Sequence, residues 1–486
     1  MQVQAELGKA DAQNPIWRRS VPWNRTLGIA SVVVAALFFA TSLTAYLTDA
    51  FIHTGELLNW FDLNVYNDAG LITRQLPVYL YKWQLGPTVK FTYTPFAGIV
   101  FAAFSYISWP VLRWLMTLAS LLSLPITAWL TLGAMGRRGL GRAAMALAIG
   151  AFALWTEPVT KALFLGQIEP LLLLLVVWDL TRNDEWRWKG IGVGVAAGIK
   201  LIPLLFIPYL LAAGKFRQAA AAMAAFAATV VIGFIVLPEP SISYWLSGYF
   251  VRPGRTGGVD ALVNQSLLGM IARQSGGGVA AQPVWLPIAL GVGLIGIAGA
   301  ALLVRSGKPV HGWVLIGLTS LLISPISWDH HWVWIIPVIA LLAGELMASQ
   351  TWRRWLFLAG AVVVTALFGA WPWDYSGPDA YVPQRGLVGW FVRPPLSYNV
   401  LELHGWQLLT WNLFVVAGLV IFVIMLVVAG VSWWRARRPV PPPPPPPSAP
   451  PPPPAPEAEP EPEPSLIDAL LARADSLLTP PGPGSG

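Results

Sequence analysis

Residues able to do chemistry are few in this chain, and they gather in short stretches between long apolar ones. "LLNWFDLNVYNDAG", residues 57–70, carries Asp62, Tyr66 and Asp68. On a helix over 57–68, Asp62 and Tyr66 share a face at i, i+4. Asp68 lies six residues on, about 240° round the axis, so the two aspartates are not a dyad. One can face a cavity while the other faces water. Asp62 then reads either as a cavity-facing carboxylate or as a solvated loop acid. "SPISWDHHWVWIIP", residues 324–337, sets His330 and His331 beside Asp329. Neighbours on a helix point about 100° apart, so only one of the two rings aims inward easily. A hydrogen-bonding or cationic role suits that ring better than a metal site, which needs more ligands at fitting spacing. Lys200 stands between two apolar limbs, where an ionisable group is costly and functional by default. A cation there suits a phosphate. Tyr93 in "FTYTPFAG", Gln167 and Glu169 in "FLGQIEP", and Asn264, Gln265 and Arg273 in "VNQSLLGMIAR" are further polar candidates; the ring and the amides among them suit sugar hydroxyls, each weak evidence alone.

The elements that must hold these residues are membrane helices. Of 486 residues, 55% are hydrophobic and 11% charged, against about 25% charged in a soluble domain, and mean hydropathy is +0.59. The chain is expected to be an all-α polytopic membrane protein. Its 26 tryptophans fit aromatic belts at the two interfaces, and its net charge of +7 fits basic cytoplasmic loops rather than nucleic acid. The absence of cysteine excludes disulfides, thiol catalysis and cysteine-held metal or haem. No P-loop, no glycine-rich dinucleotide fingerprint and no Asp-x-Asp pair in the membrane region is present. An ATP-driven pump and a metal-held nucleotide-sugar donor are thereby disfavoured.

Seven basic clusters, from Arg18/Arg19/Arg25 to Arg435/Arg437/Arg438, are placed on the cytoplasmic side. Roughly ten to twelve transmembrane helices follow. Residues 26–48 lead out and 109–134 return, with 92–108 re-entrant or interfacial. Residues 143–157 and 161–180 form the next pair, turning at "EPVT", and 189–214 breaks at Lys200, where Pro203 disfavours a continuous helix. Spans at 218–238, 283–304, 312–325, 331–347, 355–371 and 407–431 complete the set. The loops 49–91, 239–282 and 372–406 are expected outside, and both termini inside. This divides the chain into a cytoplasmic segment 1–25, a transmembrane catalytic domain 26–434 and a Pro-rich tail 435–486. The tail is a polyproline spacer followed by an amphipathic helix, "SLIDALLARADSLL", with Ser465 as N-cap. It offers either a docking segment for a partner protein or a plain disordered end.

Taken in order, "FDLNVYNDAG", "FTYTPFAG", "EPVTKALFLGQIEPLLLLL", "GVAAGIKLIPLLFIPYLL", "NQSLLGMIAR" and "SPISWDHHWVWIIP" resemble glycosyltransferase family 87 of the GT-C superfamily. The likeness spans roughly residues 26–350 and is strongest to mycobacterial α-(1→2)-mannosyltransferases that use polyprenyl-phosphate mannose. The resemblance implies a GT-C fold in the cell membrane, with an outward-facing site. It implies a catalytic aspartate at Asp62 and a functional histidine in the pair, His331 rather than His330. It also implies inverting transfer of mannose from polyprenyl-phosphate mannose to a mannosylated lipid or lipoglycan (phosphatidylinositol mannoside or lipomannan). The lipid-linked donor makes the expected chemistry metal-independent, with no cofactor. Asn64 stands where histidine is expected in the phosphatidylinositol-mannoside enzymes, and the Pro-rich tail is no part of the shared pattern, so the acceptor stays open. The competing readings are an arabinofuranosyltransferase of the same family using polyprenyl-phosphate arabinose, and a lipid or sugar transporter with Lys200 and Asp62 as substrate or proton sites.

Overall fold

A computed structural model describes residues 25–52, 58–82, 84–85, 89–252, 255, 257–275, 277–370, 386–388, 406–437 and 465–478. The first 24 residues, most of the 372–406 loop and the polyproline stretch lie outside these. The chain divides after Arg437 into a large helical unit and a second unit at 438–486. In the second, α17 (Leu466–Leu478) is capped by Ser465, whose hydroxyl accepts from the Asp468 amide at 3.3 Å.

The large unit runs α1 (Arg25–Ile52), α2 (Phe61–Gln75), α3 (Pro95–Ala102), α4 (Trp109–Ala134), α5 (Gly139–Ala153), α6 (Glu157–Leu165), α7 (Glu169–Leu180), α8 (Ile191–Ile199), α9 (Phe206–Ala212) and α10 (Phe216–Val236). It continues through α11 (Leu267–Ser275), α12 (Gly278–Arg305), α13 (Pro309–Ile323), α14 (Ile335–Ala348), α15 (Arg353–Phe368) and α16 (Leu413–Ala436). Apart from one antiparallel pair of two-residue strands at Gln84–Leu85 and Val89–Lys90, the described residues form an all-α polytopic membrane protein. Six helices among them are long and apolar enough to cross a bilayer, or seven if the bent pair α6–α7 is one span. The expected count of ten to twelve includes α5 and α13, at 15 residues each. Those are shorter than the ~20 residues a crossing needs.

Burial sorts the helices by depth. Only 17% of the most apolar window of α1 and 22% of that of α10 is buried, against 72% for the span Asp329–Ala348. Leu27, Val34, Leu37, Ile235 and Leu294 stay exposed. In water such a surface would aggregate; in lipid it is the face that needs no partner, because the helix satisfies its own backbone. Helix α13 is buried from Val310 to Leu322 and stands at the centre. Close approach in the interior depends on small residues. A Cβ on Gly194 would meet the Ala222 carbonyl, and one on Gly198 would meet Thr229, so both glycines let α8 lie against α10.

Two expected connections are redrawn. The turn assigned to "EPVT" is helical: those residues open α6, and the chain turns instead around Leu154–Thr156. The expected straight span 161–180 is broken at Gly166–Ile168, where α6 and α7 meet at 117°. The expected break at Lys200 is present, with Lys200 extended (φ −139°, ψ 129°) between α8 and a 3-10 turn at Ile202–Leu205.

Candidate active site

Three local features aim side chains at one interior cavity of about 1120 Å³. The first is the start of α2. Trp60 adopts φ 54°, a left-handed conformation that a non-glycine residue takes only when its surroundings impose it. Here they do: the amides of Asn59 and Trp60 both donate to the Phe164 carbonyl at 2.8 and 2.7 Å, and the indole N–H donates to Thr117 at 3.0 Å. The corner so fixed turns Asp62, in the first turn of α2, into the cavity. The second feature is the α6–α7 break. Gly166 is left-handed (φ 69°), and a Cβ there would press on Leu63. The sharp turn presents Gln167 and Glu169 two residues apart. The third is the pairing of 263–265 with 327–329. Asn264 bridges Trp328, the Gln265 amide donates to the Ser327 carbonyl at 2.8 Å, and the Asp329 amide donates to the Val263 carbonyl at 2.8 Å. From that brace the chain enters a 3-10 turn, Asp329–Trp334, carrying both histidines.

The polar groups form one connected run. The Asp62 carboxylate accepts from the Gln167 amide. Gln167 Oε1 accepts from Tyr66 Oη at 2.6 Å and Tyr93 Oη at 3.2 Å, and the two hydroxyls lie 2.7 Å apart. Lys200 Nζ is 3.4 Å from Tyr93 Oη and 3.0 Å from His331 Nε2, and it is paired with Glu169. Asp62 keeps partial access to the cavity, but the cavity walls shield it from bulk water. Burial pushes its carboxyl up to about 6, against the pull of the Gln167 hydrogen bond and the Lys200 charge. An ammonium has donors only, so His331 Nε2 accepts and Nδ1 carries the proton. That Nδ1 has no partner among the described residues.

Of the candidates from the sequence, Asp62, Tyr66, Tyr93, Gln167, Lys200, His330 and His331 line the cavity, and Glu169 stands behind Lys200 in a smaller adjoining pocket. The expectation that one histidine alone faces inward is corrected: both line the cavity, with their rings 4.7 Å apart and nearly perpendicular, so the two meet different parts of its wall. The expectation for Asn264, Gln265 and Arg273 is corrected as well. All three are fully buried away from the cavity and hold backbone. Asn264 Nδ2 donates to the Val259 carbonyl at 2.7 Å, Gln265 Nε2 to the Trp411 carbonyl at 2.8 Å, and Arg273 to Asn412 and to the Ala261 carbonyl at 2.8 Å. They position the histidine turn rather than a sugar. Asp68 is half-buried and belongs to none of these contacts.

Two sets of residues escaped the sequence reading. Glu157, Lys161 and Asp329 form a sealed ion cluster, with Lys161 paired to Asp329 and 3.9 Å from Glu157. Lys90, Arg252 and Arg255 line the cavity as further cations. Glu169, His330 and His331 bring ligand atoms within 4.8 Å of one another, a set that would suit a metal ion by type. The Lys200 ammonium already sits against two of them, and a dication there would meet its charge, so the residues present do not fit a metal well.

The model of glycosyltransferase family 87 matches residues 91–325. A polyprenol-phosphate-mannose-dependent α-(1-2)-phosphatidylinositol pentamannoside mannosyltransferase of Mycolicibacterium smegmatis is 30% identical over 359 residues, 72% of this chain and 85% of the relative. The chain belongs to glycosyltransferase family 87. The enzyme of the same description from Mycobacterium tuberculosis is 29% identical over 355 residues, 72% of this chain and 81% of the relative. A polyprenol-phosphate-mannose-dependent α-(1-2)-phosphatidylinositol mannoside mannosyltransferase of that species is 28% identical over 303 residues, 59% of this chain and 69% of the relative. No solved structure matches. Asp62 and the histidine pair lie outside the stretch that the family 87 model matches, so their part in the site rests on the geometry above.

Proposed function

We propose that this family 87 protein is an inverting mannosyltransferase. It moves mannose from polyprenyl-phosphate mannose to a hydroxyl of a mannosylated lipid, of the phosphatidylinositol mannoside or lipomannan class, in α-(1→2) linkage. The observation that carries the reading is the single polar run from a carboxylate shielded from bulk water, Asp62, to a cation held by a histidine, Lys200 and His331, along one large cavity. The names of the relatives support the choice of sugar, donor and acceptor class.

The acceptor oxygen attacks the anomeric carbon from the face opposite the phosphate. The new C–O bond forms as the bond to the phosphate oxygen breaks, and the electron pair leaves with polyprenyl phosphate. Asp62 takes the hydroxyl proton, a contribution of typically 10²–10⁴-fold, and Gln167 holds the carboxylate in place. The Lys200 ammonium faces the charge that develops on the leaving phosphate, and His331 Nε2, 3.0 Å away, holds it there. Positioning two lipids in one plane supplies much of the rest.

A lipid monophosphate leaving group served by these side chains needs no metal, so EDTA is expected to leave transfer intact. Abolition by EDTA and recovery with Mg²⁺ or Mn²⁺ would reassign the phosphate ligands. The cavity opens on the outer side of the membrane in this reading. In the cysteine-free background, Ser247→Cys should react with an impermeant thiol reagent in intact cells; protection of this exposed position would invert the topology. The deciding experiment incubates the purified protein with synthetic polyprenyl-phosphate mannose and phosphatidylinositol mannosides. An α-(1→2)-mannosylated product is expected. Transfer from polyprenyl-phosphate arabinose alone would overturn the assignment.

A further inference from the structure

The cavity holds more positive charge than the transfer step uses. Lys200 is paired with Glu169 and Lys161 with Asp329. Lys90, Arg252 and Arg255 line the same cavity and form no ion pair with a carboxylate among the described residues. Arg255 is held in position without being neutralised. One of its N–H groups donates to the Thr92 carbonyl, and its guanidinium carbon lies 5.8 Å from the centre of the Tyr249 ring. A guanidinium has five donors in a planar fork, so most remain for a ligand. The Arg252 guanidinium lies 5.9 Å from the same ring and donates to the Ser247 carbonyl at 3.2 Å.

The place of this group in the fold indicates the ligand. Arg255 grips the backbone at Thr92, while Lys200 meets the hydroxyl tip of the next residue, Tyr93. The length of the Tyr93 side chain therefore separates the arginines from the Lys200–His331 end. Beside the arginines, Ile242, Leu246 and Val251 are 47%, 74% and 68% exposed. Cations next to bare apolar side chains, just past the end of α10, mark the level of lipid headgroups. Arginine suits a phosphodiester because its fork matches two phosphate oxygens at once.

We propose that Arg255, with Arg252 and Lys90, forms a second anion site in the cavity that takes the phosphodiester of the acceptor glycolipid. The inference rests on the mannosyl-transfer reading and adds what it lacks, a reason for an anionic lipid acceptor. The donor phosphate sits at Lys200 and His331, the acceptor phosphate at Arg255, and the acceptor's sugar lies between them, beside Asp62.

The test compares two acceptors with the same reactive mannose: a phosphatidylinositol mannoside and a neutral alkyl mannoside. In Arg255→Gln, KM for the anionic acceptor should rise roughly 10-fold or more, the scale of one lost hydrogen bond to a charged group. KM for the neutral acceptor and for the donor should move much less, and Arg255→Lys should recover part of the loss. An equal loss on both acceptors, a loss in the donor KM, or no loss would overturn the proposal. Arg252→Gln carries the same comparison should Arg255→Gln fail to fold. A binding arm separates this outcome from failure of the mannosyltransferase reading. Native mass spectrometry of wild type and Arg255→Gln with phosphatidylinositol should show lipid retention lost in the variant, whatever sugar is transferred. Equal retention overturns the site, whereas absence of mannose transfer by wild type overturns the parent reading alone.

Discussion

Two buried lysines sit in this molecule in nearly the same chemical company and do different work. Lys161, on α6, is paired with Asp329 and lies 3.9 Å from Glu157, with its side chain 4% exposed. Lys200, between α8 and the 3-10 turn, is paired with Glu169 but keeps 17% exposure, a place on the cavity wall and a contact with His331. The first cluster joins α6 to the histidine turn and touches no open space. The second can exchange its protein partners for a ligand. What separates a structural ion pair from a working one here is access, since both have a lysine, a carboxylate and a histidine nearby.

Removing each lysine should break the comparison open. Lys161→Ala takes the ammonium away from buried Asp329 and Glu157, and losing one partner of a buried pair costs about 3–5 kcal/mol. The unfolding midpoint in detergent should drop well below that of Lys200→Ala; equal midpoints would mean that Lys161 is not the structural member. Asp62→Asn keeps shape and removes the base. Turnover should fall at least ~100-fold, the lower end for loss of a general base, with donor binding retained. Lys200→Ala should lose turnover on a similar scale, about 10²-fold for one stabilising donor, while folding. A variant with near-normal rate would return Lys200 to a structural role.

Smaller effects sharpen the same contrast. The base must be ionised, and burial places the Asp62 carboxyl at about 6. Protonation below that value removes the base, so kcat/KM should fall about tenfold per pH unit below it. A profile level down to pH 5 would remove Asp62 from the proton transfer. Asp68→Asn should change rate and stability little, within about 0.5 kcal/mol as for a surface substitution. A loss there matching that of Asp62→Asn would show that the stretch acts by its overall acidity.

Legibility from sequence followed the range of the interactions. The shared face of Asp62 and Tyr66 and the break at Lys200 are local properties of helix period and proline, and both are present as read. The corner at Gly166–Ile168 is marked locally by a left-handed glycine and by Pro170 in the first turn of α7, but the ~20-residue length of a crossing favours one span over 161–180. Lys161 drew no notice inside "EPVTKALFLG", since its partner Asp329 is 168 residues away. Arg273 was read as a ligand for sugar because a polar residue in an outer loop looks free. Its acceptor, Asn412, lies 139 residues on, and that pairing makes it a brace. Nothing local in the sequence marks the cations at 252 and 255, because their place on the cavity comes from contacts with the distant Phe91–Tyr93 backbone, where Tyr249 donates to the Phe91 carbonyl at 3.0 Å and Tyr81 to that of Tyr93 at 2.8 Å.

The corner at Gly166–Ile168 also acts as a ruler. Gln167 holds Asp62 and Glu169 holds Lys200, so in the proposed mechanism the distance between base and phosphate cation is set by a few residues of backbone at this corner. In the proposed mechanism a change of acceptor is expected to act instead at the other end of the lipid, where Tyr249, Arg252 and Arg255 line the cavity.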